Sequence, residues 1–218
     1  MKGKAIDEKV INEGLRVALR EKDSAQVLER FLAHIGRSSH SERIYIFEGS
    51  KGGTVTNTFE WCAEGVSAEI QDLQDVPFEA VAWWYQKFEE NSSIIIKNVD
   101  DLKESEPVTY GYLGPQNIHS LIASPLVLEG EIIGFYGVDN PPKESMENIS
   151  DFAEIVGHFI TSLLERHRLM KQLKEMSLED SLSRVQNRHA LNGYIQDAKE
   201  YKNVGIAFCD VLGLKKGE

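Results

Sequence analysis

The sequence predicts an α+β fold, in which an antiparallel sheet is flanked by helices and followed by a long C-terminal helix. Three observations lead there. Short runs rich in β-branched and aromatic residues come in neighbouring pairs joined by glycine turns. Helical periodicity is confined to the ends of that strand region and to one short internal stretch. From Ile149 onward apolar residues step at coiled-coil spacing. Strands clustered between helices, without βαβ alternation, belong to an α+β layer and not to a parallel sheet.

In chain order, Val10, Ile11, Leu15 and Ala18/Leu19 give a first helix within residues 1–22. Asp23, with Gln26 three residues on, can cap a second helix striped by Val27, Leu28, Phe31, Leu32 and Ile35. Arg43–Glu48 and Thr54–Cys62 read as two strands around the hairpin loop Gly49-Ser50-Lys51-Gly52-Gly53. Pro77 suits a first helical turn, with Phe78, Val81, Trp84/Tyr85 and Phe88 on the buried face. Ile94–Ile96 is a short strand, and Leu121–Leu128 and Ile132–Val138 form a hairpin about Glu129-Gly130.

Ile149, Phe152, Val156, Phe159 and Leu163 step 3-4-3-4, Met170 and Leu173 continue the series, and Arg166 is its polar position. The expectation is a parallel homodimer seam of Phe152, Val156, Phe159, Leu163, Met170 and Leu173, with Ile155, Ile160 and Leu164 on a second face touching the domain. The alternative is one amphipathic helix packed on its own domain. The chain thus divides into a helix over 1–22, a domain over 23–148, an exit helix over 149–177 and a further segment over 178–218.

Composition excludes several classes. Among 218 residues the net charge is -11 and the pI about 5.1, which disfavours nucleic acid and anionic membrane surfaces alike. No apolar run follows the N-terminal lysines, and Pro125, Glu129, Gly130 and Glu131 interrupt the most apolar region, so neither a secretory signal nor a membrane span is expected. Cys62 and Cys209 are too few for a disulfide framework, and a reducing cytoplasm is the expected location. Gly49–Thr54 lacks the GxxxxGK[ST] of a phosphate loop, and the six histidines show no zinc spacing. His167 and His189 lack a phosphoacceptor context. A lone Cys62 in the domain has no resolving partner for thiol redox chemistry.

Several segments, in this order, resemble a GAF domain: RIYIFEG (43–49), NTFEWCAEGV (57–66), the Trp83-Trp84 helix, SLIASPLVLEGEIIGFYGVDNP (120–141) and the long exit helix. The resemblance covers roughly residues 20–165. It implies a small-molecule pocket between the sheet and the loops crossing it. Trp61, Trp83, Trp84, Tyr85, Tyr110 and Tyr112 would supply aromatic walls, and Gln116, Asn117 and His119 polar tips. The NKFDE-type set of cyclic-nucleotide GAF domains is not evident.

A second resemblance is to GGDEF domains, the diguanylate cyclases. Their opening D-x-L-T-x-L-x-N-R-x-x-L is matched by Asp180, Leu182, Asn187, Arg188 and Leu191, with Ser183 and Val185 as conservative changes. About twenty residues on, Asp210 and Lys215 match a D-x-D-x-F-K segment, whereas Leu212 and Leu214 depart from it. By this resemblance Asp210 is a Mg²⁺ ligand and Lys215 a phosphate contact. The GG[DE]EF signature is absent. No catalysis and no cofactor are therefore expected of these residues, although a complete GGDEF domain would use Mg²⁺ and GTP. Two functions stay open: a ligand sensor regulating an attached cyclase, or a ligand-free dimerisation module.

Overall fold

The computed structural model describes residues 6–90, 93–178, 185–187, 190–191 and 205. The chain divides into two compact units, Met1–Arg168 and Leu169–Glu218. The fold below is that of the first. Asp180, Leu182, Arg188, Asp210 and Lys215 lie outside the described residues.

Helix α1 (Glu8–Ala18) begins where the Asp7 carboxylate accepts from Val10 N at 2.7 Å. Helix α2 (Ser24–Ser39) is capped by Asp23, which accepts from the amides of Ala25 and Gln26. The strands are β1 (Arg43–Gly49), β2 (Thr54–Cys62), β3 (Val76–Pro77), β4 (Ile94–Ile96), β5 (Leu121–Leu128) and β6 (Glu131–Asp139). They form one antiparallel sheet in the order β3-β2-β1-β6-β5-β4. Glu129 and Gly130, both at positive φ, make the tight β5–β6 turn. Three short helices, α3 (Ala82–Glu89), α4 (Leu102–Ser105) and α5 (Pro107–Leu113), cross one face. Helix α6 (Met146–Leu178) leaves from the other.

Pro77 is the second residue of β3, and a 3-10 turn over Phe78–Ala80 precedes α3, so the helix expected from Pro77 begins at Ala82. The sequence reading also missed α4 and α5, whose short apolar spacing falls below a periodicity signal.

Two cores divide the side chains. Ile44, Ile46, Phe59, Ile122, Leu126, Tyr136 and Val138 join α1, α2 and α6. Tyr45, Phe47, Val55, Leu121, Ala123 and Phe135 join α3 and the crossing segments. Each fully buried large side chain stabilises by about 1.5–3 kcal/mol.

Within α6, Ile149, Ala153, Val156, Ile160, Leu163 and Leu164 are buried in the first core. This corrects two of the six residues expected in the seam. Val156 and Leu163 are taken by their own domain, as Ile160 and Leu164 were expected to be. Phe152 and Phe159 are half-buried beside them, while Ile155, Met170 and Leu173 are exposed. Both 3-4 series are apolar, so spacing alone could not choose between them. Among the described residues, no helix is long and apolar enough to cross a membrane.

Candidate ligand pocket

Alternation along β1 turns Arg43, Tyr45 and Phe47 to the crossing segments, and along β6 it turns Phe135, Gly137 and Asp139 the same way. These strands are neighbours, so Arg43 lies opposite Asp139 and Tyr45 opposite Gly137. The Tyr45 ring lies over Gly137 so closely that a Cβ there would fall inside it. Glycine is thus required by contact.

Arg43 and Asp139 make a buried ion pair. Nε and Nη2 of Arg43 both donate to Asp139 Oδ2, at 2.9 and 2.8 Å. Nη2 also donates to Gln116 Oε1 at 2.8 Å, and Glu60 lies 3.9 Å from Nε. Burial pushes the Asp139 carboxyl up to about 6 despite Arg43, which pulls it down. Burial, then the Asp139 charge, drives the neighbouring Tyr45 phenol well above its ordinary value. The tyrosine is therefore a neutral group. Asp139 Oδ1 is buried and makes no well-formed hydrogen bond.

Beside this cluster is a cavity lined by Phe47, Leu73, Val76, Trp84, Leu113 and Phe135, with Arg43, Tyr45, Thr109 and Gln116 as its polar groups. It leaves about 50 Å³ for water-sized occupants. That holds a few waters, against roughly 300–1,000 Å³ for sites of drug-sized ligands.

Two polar side chains hold the loops around it. Glu60 Oε2 accepts from the amides of Glu69 and Ile70, while Asn57 N donates to Leu73 O, stitching the 63–75 loop to β2. Asn140, at φ 49°, accepts from the amides of His119 and Ser120 and donates to Glu42 Oε2 and Asn117 O. It fixes the segment that brings Ile118 to the cavity.

The residues anticipated from sequence divide into groups. Trp84, Tyr112 and Gln116 line the cavity, Tyr112 at its exposed edge. Trp83 and Tyr110 pack on the same core without lining it, and Tyr110 donates to Asp100 Oδ1 at 3.4 Å. Asn117 and His119 have exposed side chains and act here through their backbones. Trp61 is on the opposite face of the sheet, its ring over Gly36 of α2. The cause is a β-bulge: Phe59 pairs with Ile46 but Asn57 with Phe47, so Thr58 is the extra residue. Before it, odd-numbered residues face the cavity; after it, they face the helices.

Arg43, Tyr45, Phe47, Phe135 and Asp139 were missed. Their signal was the period-two pattern R-x-Y-x-F in β1 and F-x-G-x-D in β6, which places polar groups on a face otherwise aromatic. Cys62 is not among the lining residues, and burial with Glu60 pushes its thiol up to about 11, an unreactive state. Among the described residues, no group of three or more His, Cys, Asp or Glu could hold a metal.

No protein-family model matches the chain. It is similar to the methanogenesis regulatory histidine kinase FilI of Methanothrix harundinacea, 29% identical over 127 residues. That match spans 56% of this chain but only 14% of the kinase. Among solved structures, it resembles the GAF domain of a phosphoenolpyruvate-protein phosphotransferase (ptsP) from Coxiella burnetii, with TM-score 0.57 and 12% identity, covering 75% of this chain and 95% of that one. It also resembles the chromophore-binding domain of the bacteriophytochrome RpBphP3 from R. palustris, with TM-score 0.58 and 16% identity, covering 75% of this chain and 64% of that one. A third likeness is to GAF3 from Slr1393 of Synechocystis sp. PCC6803, with TM-score 0.57 and 10% identity over 69% of this chain and 99% of that domain. The fold is GAF-like.

Proposed function

We propose that this domain is a sensory module that binds a small molecule in the Arg43–Gln116 cavity, dimerises, and controls an attached output through α6. The carrying observation is a buried polar cluster, Arg43, Asp139, Tyr45 and Gln116, at one end of an otherwise apolar cavity. A core without a binding role has no need to bury an arginine, since desolvating a charge costs several kcal/mol.

The size of the cavity favours a compact ligand over a tetrapyrrole or a nucleotide, and no cysteine lines it for covalent attachment. Diguanylate cyclase output, and with it cyclic-di-GMP signalling, is the finer part of the proposal. It rests on the resemblance of Asp180–Leu191 and Asp210–Lys215 to a GGDEF domain. A cytoplasmic location fits an output that consumes GTP.

The test is a thermal-shift screen with metabolites of ~5–10 heavy atoms, the scale a small, partly apolar site accommodates. A binder should raise Tm in proportion to the logarithm of its concentration. Ala80→Leu, which fills the cavity from its wall, should abolish that response. A second reading, a ligand-free dimerisation module, is favoured by the small free volume. It would be upheld if no compound shifts Tm while Ala80→Leu raises the basal Tm.

A further inference from the structure

The polar end of the cavity offers hydrogen-bond donors but no spare positive charge. A guanidinium carries N–H groups on all three of its nitrogens. Those on Nε and Nη2 of Arg43 are directed at Asp139 Oδ2 and Gln116 Oε1. Those on Nη1 have no partner among the described residues, and Arg43 lines the cavity. Thr109 lines the same cavity, and its hydroxyl likewise has no partner among the described residues. Gln116 is engaged at both ends, since its Nε2 donates to Tyr112 O at 2.7 Å.

Charge at this end is already answered. Asp139 Oδ2 lies 2.8 Å from Arg43 Nη2 and Glu60 Oε1 lies 3.9 Å from Nε, with all three side chains at most 4% exposed. Asp139, pushed up to about 6, still carries its charge at neutral pH. Two carboxylates against one guanidinium leave the trio with a surplus of negative charge. Neither carboxylate lines the cavity.

We propose, resting on the sensory reading above, that the occupant is a compact neutral carbonyl compound, a ketone or ester with a short apolar chain, whose oxygen accepts from Arg43 Nη1. A carbonyl oxygen has two lone pairs, one for Nη1 and one for the Thr109 hydroxyl. The chain would lie against Phe47, Val76, Trp84, Leu113 and Phe135, and the small free volume limits it to a few carbons.

Other ligand chemistries meet an obstacle at a named group. A carboxylate would add further negative charge to a buried trio that has too much of it. One edge of the guanidinium already holds Asp139, and the other shares Nη2 with Gln116, so no free pair of N–H groups remains to grip a carboxylate side-on. An ammonium would face the guanidinium with no Asp or Glu among the described lining residues to receive it. A hydrocarbon would leave Nη1 and the Thr109 hydroxyl shut away from water without acceptors, which is costly.

The test titrates the full chain, labelled with nitrogen-15, at neutral pH with 2-pentanone, ethyl acetate, butanoate and butylammonium, probes of about six heavy atoms. The two neutral carbonyl compounds should move the Arg43 Nε–H and Trp84 indole N–H resonances saturably. Their affinity should exceed that of the two ions by at least about tenfold. Ala80→Leu should abolish these shifts, because its side chain fills the cavity. Nuclear Overhauser contacts from the ketone methyl groups to the Trp84 and Phe135 rings should place it in the wild-type chain without recourse to a variant. Butanoate or butylammonium binding there as tightly as the ketone overturns the neutral-carbonyl inference and leaves the sensory reading standing. Ketone binding without the ring contacts does the same, as does a failure of all four probes when another compound of the metabolite screen binds. If nothing in either set binds, both fall.

Discussion

Arg168 of α6 reaches back to Glu48 at the end of β1, with Nε donating to Glu48 Oε2 at 3.1 Å and Nη2 bonding to the same oxygen. One residue earlier, His167 Nδ1 meets the Ser24 hydroxyl at 2.9 Å, and its ring stands edge-on to Phe59. Strand β1 therefore carries the cavity groups Arg43, Tyr45 and Phe47 on one face and a hold on the exit helix on the other. Any shift of β1 on binding would be felt at Arg168. Glu48→Gln should cost only about 0.5–1 kcal/mol of stability, because the pair is partly exposed. Hydrogen exchange over residues 160–168 should nonetheless quicken. Unchanged exchange would remove Glu48 as an anchor.

Asp139 should make stability depend on pH with an inverted sign for a carboxylate. Its folded pKa of about 6 lies above the ordinary 3.8, so between those values the native state holds more protons than the unfolded chain. Its contribution is thus fully present below about pH 4 and is lost as pH rises through about 6. The loss is on the order of 2–3 kcal/mol. Urea unfolding of wild type and Asp139→Asn across pH 4–7 isolates it: the wild type should lose stability relative to the variant over that window. Parallel curves would refute the assignment.

Gly137→Ala should destabilise by about 1–3 kcal/mol, the usual cost of overpacking, because the Tyr45 ring occupies the space of the new methyl. Displacing that ring also disturbs the Arg43–Asp139 pair beneath it. Equilibrium denaturation gives the magnitude, and a neutral result would mean that the ring can step aside.

The two faces of α6 should answer differently to truncation. Leu164→Ala, fully buried, should cost about 2–5 kcal/mol. Ile155→Ala should alter the stability of the monomeric domain by less than about 0.5 kcal/mol. Measuring both at high dilution separates folding from association. Equal costs would contradict the burial pattern.

Incubated with GTP and Mg²⁺, these 218 residues should yield no cyclic dinucleotide, since the GG[DE]EF loop is missing from them. Turnover above a buffer control would overturn that expectation.

Much of the sheet was legible because each strand carries a local signal: Ile44 and Ile46 alternate with Tyr45 and Phe47, and Glu129-Gly130 can hardly be anything but a tight turn. The pocket was only half legible. Trp84, Tyr112 and Gln116 were anticipated, but Trp61 was placed on the wrong face. Parity fails silently at a bulge, and nothing local to Thr58 announces the extra residue. Arg43 was overlooked for a different reason: a charged residue at the start of a strand ordinarily faces water, and its counter-ion is 96 residues away.

That separation also sets a clock. Strand β1 is interior to the sheet, between β2 and β6, yet β6 is among the last parts of the domain to be synthesised. At ribosomal rates of about 5–20 residues per second, roughly 5–20 s pass between the emergence of Arg43 and that of Asp139. During that interval the β1 edge of the β1–β2 hairpin is open, and its arginine is without its carboxylate. The nascent chain must keep that edge hydrated, or shielded by other means, until β6 arrives to close it.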